Sequence, residues 1–307
     1  MTDSPTPSVS VIVPVYNDVD RLRTCLAALA AQDYTGPLDV VVADNASTED
    51  VGAALPPGDA RFTVVREMQK GSYAARNAAV RVARGAILAF TDADCVPHAT
   101  WVSRAVAVLA DPTGAPDAVG GRVNLTFRSA AGPTTGPELY EAIEGFDQEL
   151  FVRTAHFAAT ANLVVPRRVF EEVGPFNATL QSGGDLEWGQ RLHARGLRLQ
   201  YVDDAVIDHP SRPTWRELTK KTIRIANGHA DLYSDPATAV FAANSWHDLR
   251  QTFTVWWSVW RAEWPTSPAA KLRLAAARSY AGLLEIVVRT RRRAWRPAAS
   301  PAVGSDS

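Results

Sequence analysis

The sequence predicts an α/β protein: a mixed, mostly parallel sheet flanked by helices, with a helical extension at its C-terminus. Three observations carry that expectation. From Val9 to about Thr91 short β-branched runs alternate with stretches of helical period, the order that builds parallel sheets with right-handed crossovers. The polar residues able to do chemistry fall directly after those runs, where such sheets bind ligands. Beyond residue 215 strand-like runs give way to helical periodicity that fills the C-terminal third.

The elements follow in order. VSVIVPVY begins at Val9 as a strand, and Asp18 or Asp20 can cap a helix whose buried face carries Leu22, Leu26 and Leu29. LDVVVAD, residues 38–44, is nearly all apolar, as a strand covered on both faces should be. FTVV at 62–65 makes a third strand, Ala74 to Arg84 an Ala-rich helix, and ILAFTD a fourth strand. Residues 112–137, rich in Gly, Pro, Thr and Ala, form a long excursion around the short strand AVGGRVNL. AATANLVVPRRVFEEVGPF reads as strand, helix and turn, with Thr160 and Asn162 on the strand, and two short strands, LQYV and AVIDH, precede the C-terminal helices. The expected organisation is a lead of residues 1–7, a catalytic domain over 8–215, a helical region over 216–296 and a tail over 297–307, with lead and tail disordered.

Composition narrows the function. The net charge of −1 gives no reason to expect a nucleic-acid partner. Two cysteines, Cys25 and Cys95, have neither metal-type spacing nor a disulfide pattern, so a reducing compartment is expected. The N-terminus lacks the basic and apolar regions of a secretory signal, and no apolar run approaches the ~18 residues of a membrane span. A cytoplasmic protein, peripheral to a membrane at most, is the expectation.

All four strand ends put polar residues on one rim: Pro14, Tyr16 and Asn17, then Asp44, Asn45 and Ser47, then Lys70, Gly71 and Arg76, then Asp92 and Asp94. Neither G-x-G-x-x-G nor G-x-x-x-x-G-K-[ST] is present, so a nucleotide on this rim must be held by side chains and a metal. Two carboxylates one residue apart at a strand end suit Mg²⁺ or Mn²⁺ shared with a diphosphate, although such a pair also makes turns and helix caps.

The blocks VSVIVPVYN, VVADNAST, GSYAARNAAVRVARG, ILAFTDADC, VVPRRVFEEVGPFN and GGDLEWGQRLHARG resemble, in order and over residues 8 to 212, the family 2 nucleotide-sugar glycosyltransferases of the GT-A fold. The resemblance implies an inverting transfer from a nucleoside diphosphate sugar, with a UDP-sugar as the expected donor, and Mn²⁺ or Mg²⁺ as cofactor. By position Asp44 resembles the aspartate that accepts from the base, Pro14 to Asn17 the base and ribose pocket, Asp92 the ribose and sugar contact, and Asp94 the metal ligand. Arg76 and Lys70 would add positive charge at phosphate or sugar hydroxyls. His209 stands where similar enzymes place a histidine on the metal or diphosphate.

Asp185 matches the catalytic base, which removes the proton of the acceptor hydroxyl. The family often has Glu before it, and this chain has Gly184, which makes Glu187 a rival. Asp185 as a mere helix cap is the alternative. Asn162 and Glu187 are the acceptor-side candidates, and the acceptor is a glycan, a lipid-linked molecule or a small molecule. The processive Q-x-x-R-W block is replaced by GQRLHARG, so one sugar per binding event is expected. Two other readings stay open: a noncatalytic sugar-nucleotide or glycan-binding module, and a nucleotidyltransferase, which would want a Gly-rich basic loop that VPVYND does not offer. Trp246, Leu249, Phe253, Trp256, Trp257, Trp260 and Trp264 share one face at helical spacing, and an Arg cluster with Trp295 follows. That face either packs against the domain or a second copy, or lies at a membrane surface.

Overall fold

The computed structural model describes residues 6–232, 259–261 and 264–294. Strands β1 (Val9–Val15), β2 (Leu38–Asp44), β3 (Phe62–Arg66) and β4 (Ile87–Phe90) fall where the apolar runs put them, with β4 ending two residues before Asp92. Helix α1 (Val19–Ala30) joins the first two, and α2 (Ser72–Val82) joins β3 to β4. After β5 (Val96–Pro97) come α3 (Trp101–Leu109), β6 (Ala118–Thr126), α4 (Gly136–Glu144) and α5 (Gln148–Ala155). Then follow β7 (Leu163–Pro166), α6 (Arg167–Val173), α7 (Gly184–Ala194), β8 (Leu199–Pro210), α8 (Trp215–Leu232) and α9 (Pro268–Ala294).

The strands form one sheet ordered β3-β2-β1-β4-β7-β6-β8-β5. β1 pairs in parallel with β2 and β4, β2 with β3, and β6 with β8, while β7 runs antiparallel to both β4 and β6. The carboxyl ends of β1 to β4 therefore share one rim.

Alternation along the strands decides what each face holds. Val9, Val11 and Val13 face α1 and α3 with Leu22, Leu26, Leu29 and Trp101; Ile12, Leu88 and Phe90 face α2, α6 and α7 with Ala75, Phe170 and Trp188. Ser10, polar in the middle of β1, donates to Asp39 at 2.8 Å and accepts from the Gly85 amide at 2.7 Å, so its burial leaves no bond unmade. Asp18 stands at the first helix's N-cap position but sends its carboxylate to Arg21 at 3.3 Å; the Val19 amide is taken by Glu49 instead.

Two expectations at the far side of the sheet are corrected. LQYV and AVIDH are one strand, β8, whose pairing with β6 shifts register between Gly121 and Arg122, so the polar Asp203 and Asp204 are accommodated by a bulge rather than a turn. Thr160 and Asn162 lie on a short 3-10 helix before β7, not on a strand.

α8 and α9 pack on each other and on α4. Leu139 meets Leu274, Ala275 and Val259, and Trp215 meets Tyr280 edge to face. α4 begins with a capping box between Thr135 and Glu138. Among the described residues no helix is long and apolar enough to cross a membrane. Most of the lead, the tail, and Trp246, Leu249, Phe253, Trp256, Trp257 and Trp295 lie outside the described residues; Trp260 and Trp264 are 48% and 44% exposed.

Candidate active site

A cleft of about 640 Å³ opens on the rim, lined by Pro14, Tyr16, Asp18, Lys70, Tyr73, Arg76, Asp92, Asp94, Asp185 and Arg224. The loop after β1 brings Tyr16 out to 60% exposure as one wall. Asn17 adopts a left-handed backbone (φ 48) and turns away: its side-chain oxygen accepts from the Thr48 amide at 2.8 Å, and its own amide donates to Ser47 at 3.0 Å. It shapes the wall from behind rather than lining it.

Asp44 does form the turn, accepting from the Ser47 amide at 2.8 Å through Oδ1. Its Oδ2 stands 3.4 Å from the Arg66 guanidinium, so both carboxylate oxygens are engaged and Asp44, 4% exposed, lies behind the residues that line the cleft. Asn45 accepts from the Gly71 amide and donates to the Glu67 and Gln69 carbonyls, which fixes the strained approach to α2 at Gly71 (φ 128).

α2 then delivers Tyr73 and Arg76 into the cleft. Arg76 is 3% exposed and ion-paired with Asp92. Its Nε has no hydrogen-bond partner. A buried guanidinium held by a carboxylate in the cleft wall brings fixed positive charge to an anionic or hydroxylated ligand.

Asp94 lies 3.8 Å from Nε2 of His209, which β8 carries across from the other half of the sheet. His209 is 1% exposed, packs its ring on Phe146 and leaves Nδ1 without a partner. Burial lowers its pKa against the opposing pull of Asp94, so it stands as the neutral, ligating form. With Cys95 these residues offer ligand atoms within 4.8 Å of one another. A carboxylate and an imidazole suit Mn²⁺ or Mg²⁺ completed by phosphate oxygens. Cys95 is not part of that set, because burial holds its thiol far above the usual range, neutral and unsuited to a hard cation.

Opposite them, the start of α7 presents Asp185, whose Oδ1 accepts from the Tyr73 hydroxyl at 3.2 Å and from the Leu186 amide at 3.0 Å. A Cβ at Gly184 would lie 2.7 Å from the Tyr73 ring. Gly184 is thus matched to Tyr73.

The two acceptor-side candidates do not line the cleft. Glu187 pairs with Arg191 at 2.7 Å, and Arg191 also bonds the Val173 and Pro175 carbonyls, so Glu187 braces α7 outside the cleft. Asn162 is fully buried: it accepts from the Trp101 indole at 2.8 Å and donates to the Arg122 and Ala205 carbonyls at 2.9 Å, supplying the hydrogen bonds that the bulge in β8 takes from the ladder. Thr160, its neighbour, does line the cleft. Sequence reasoning passed over Tyr73, Phe146 and Arg224; only Tyr73, inside GSYAARN at the head of α2, carried a local signal.

The sequence profile of Glycosyl transferase family 2 matches residues 10–174, which spans all four parallel strand ends and the Asp pair. The chain belongs to this family. Among curated relatives, Glycosyltransferase AglE of Haloferax volcanii is 37% identical over 232 residues, 74% of each chain. The Pre-mycofactocin glycosyltransferase of Mycobacterium tuberculosis is 27% identical over 221 residues, 68% of this chain but 44% of its own length. The mannosyltransferase PcManGT of Pyrobaculum calidifontis, solved with GDP-Man and Mn²⁺, superposes with a TM-score of 0.62 at 23% identity, over 95% of this chain and 88% of its own. Staphylococcus aureus TarS 1-349, solved with UDP-GlcNAc, gives 0.50 at 16% identity, over 94% and 93%. This family 2 glycosyltransferase therefore has the GT-A fold and is a transferase that uses a nucleotide sugar.

Proposed function

We propose that this glycosyltransferase transfers a single sugar per binding event from a UDP-sugar to an acceptor hydroxyl, with inversion at the anomeric carbon and assistance from a divalent cation. The observation that carries the reading is the convergence on one cleft of Asp92, Asp94 with His209, and Asp185, from three separate segments of the chain.

Each residue then has a task its position supports. Tyr16 covers the base, and Asp44, once Arg66 yields, accepts from the imide N–H. Asp92, held by Arg76, meets the ribose and sugar, and Lys70 adds charge at the phosphates. Asp94 and His209 would hold Mn²⁺ or Mg²⁺, which when bound offsets the charge developing on the departing diphosphate. Asp185, steadied by Tyr73, takes the proton from the acceptor hydroxyl as its oxygen attacks from the side opposite the diphosphate.

The test is a thermal-shift screen of UDP- and GDP-sugars with Mn²⁺, followed by NMR of the product anomer. A bound donor at a hundred times its Kd raises stability by about 2.7 kcal/mol. Asp185→Asn should keep that shift and lose transfer. Transfer surviving in Asp185→Asn removes the assigned base, and a GDP-sugar shifting the protein where UDP-sugars do not removes the assigned donor.

A further inference from the structure

A second cavity, of about 250 Å³, opens beyond Asp94 and is lined by Ser211, Arg212, Lys220, Lys221 and Arg224 together with Arg21 and Glu217. The cleft and this cavity have Asp94 and Arg224 in common. Residues 217, 220, 221 and 224 follow the i, i+3, i+4, i+7 spacing of one face of α8, so the helix itself builds the wall.

Its charges do not cancel locally. The buried carboxylate of Glu141 is shared by Arg212 at 3.0 Å and Lys221 at 2.8 Å, which leaves one positive charge over. Arg21 is matched by Asp18. Glu217 bonds the amide and hydroxyl of Thr214 at the start of α8, and with Asp94 it is a carboxylate of the lining. The five cations Arg21, Arg212, Lys220, Lys221 and Arg224 thus meet the four carboxylates Asp18, Asp94, Glu141 and Glu217, and one positive charge is left over. Arg224 bonds only the Ser182 hydroxyl, at 3.3 Å, and neither it nor Lys220 has a carboxylate partner among the described residues. Ser211 points the same way: it lines the cavity, is 8% exposed, and its buried hydroxyl has no hydrogen-bond partner. A buried, unspent hydroxyl beside a net positive lining suits an anionic ligand.

Size and place identify the anion's class. The volume falls below the ~300–1,000 Å³ of whole small-molecule sites and suits a phosphoryl head group rather than a nucleotide. None of the residues after β1, β2 or β3 that face the base lines it. It joins the cleft at Arg224, and Arg224 bonds Ser182, three residues before Asp185. We propose that this cavity is a phosphate subsite for the acceptor: the molecule receiving the sugar carries a phosphate ester, gripped by Arg212, Lys220, Lys221 and Ser211, which sets its hydroxyl against Asp185. The assignment rests on reading the cleft as the donor site.

The test is calorimetric titration of the full chain, saturated beforehand with UDP and Mn²⁺, using citronellyl phosphate, glucose 1-phosphate, inorganic phosphate and uncharged citronellol. The phosphates should bind and citronellol should not, with affinity falling as salt is raised. Lys220→Glu should weaken phosphate binding about tenfold or more, as loss of a charge-assisted contact does, and Lys220→Arg should restore it. Lys220 is exposed, so a melting temperature held in both variants separates binding from folding. Whichever ester outbinds inorganic phosphate tells a lipid phosphate from a sugar phosphate. The proposal is overturned if no phosphate binds the loaded protein, if Lys220→Glu binds as the parent does, or if it weakens UDP with Mn²⁺ by the same factor, which would make the cavity part of the donor's diphosphate site. Failure of UDP to bind at all counts against the donor reading instead, and the phosphate titration of unloaded parent and Lys220 variants still decides the subsite.

Discussion

The hydroxyl of Tyr73, at the head of α2, donates to Oδ1 of Asp185, at the head of α7, across 3.2 Å and 112 residues of sequence. Burial pushes the Tyr73 phenol well above its ordinary value, so it remains a donor throughout the working pH range. It holds one carboxylate oxygen in place and, on the proposed mechanism, leaves the other for the acceptor. Tyr73→Phe keeps the ring and removes only this bond, whose loss is worth about 1.5 kcal/mol, roughly tenfold in kcat. Steady-state kinetics should show that fall with the donor KM nearly unchanged; an unaltered kcat would leave Tyr73 no part in positioning the base.

Gly184→Glu, which installs the residue that the family resemblance leads one to expect, should harm this chain. Its Cβ would meet the Tyr73 ring at 2.7 Å, and overpacking of that kind costs about 1–3 kcal/mol. Thermal melts should show a lowered Tm for Gly184→Glu, and a Tyr73→Ala background should relieve part of the drop.

Metal dependence divides three neighbouring residues. Asp94→Ala should abolish Mn²⁺ binding measured by titration calorimetry, and His209→Ala should weaken it about tenfold, near 1.4 kcal/mol. Cys95→Ser should leave the affinity within about twofold, because the neutral buried thiol, 4.0 Å from Asp94, is no ligand for a hard cation.

Acid stability should report on Glu138. Burial alone would raise its pKa, but the amides of Thr134, Thr135 and Arg128 hold it down at about 2. The folded state therefore resists a proton that the unfolded chain accepts near 4.5. The stability this provides is complete above pH 4.5 and is lost as pH falls toward 2. Circular dichroism across that window should show a steep loss in the parent and a flatter one in Glu138→Gln, which should already be less stable at neutral pH by about 1–3 kcal/mol.

The sequence by itself determined the β1 to β4 half of the protein. Runs such as VSVIVPVY and LDVVVAD carry the signature of buried parallel strands, and the chain rule for such sheets put Tyr16, Lys70, Arg76, Asp92 and Asp94 on one rim before any coordinates did. Local pattern suffices there because strand order and crossover handedness leave few other arrangements. It failed where a residue's partner is remote. Asn162 and Glu187 have the polarity of acceptor contacts, yet Asn162 serves carbonyls 40 and 43 residues away, and Glu187 is held outside the cleft by Arg191, which bonds the Val173 and Pro175 carbonyls 18 and 16 residues back. The pairing of Asp94 with His209, of Tyr73 with Asp185, and of Arg212 and Lys221 with Glu141 was decided only by the tertiary structure. Those contacts link β8 to the loop after β4, α7 to α2, and α8 to α4. Sequence periodicity specifies which face of an element is buried; it does not specify which distant element will cover it.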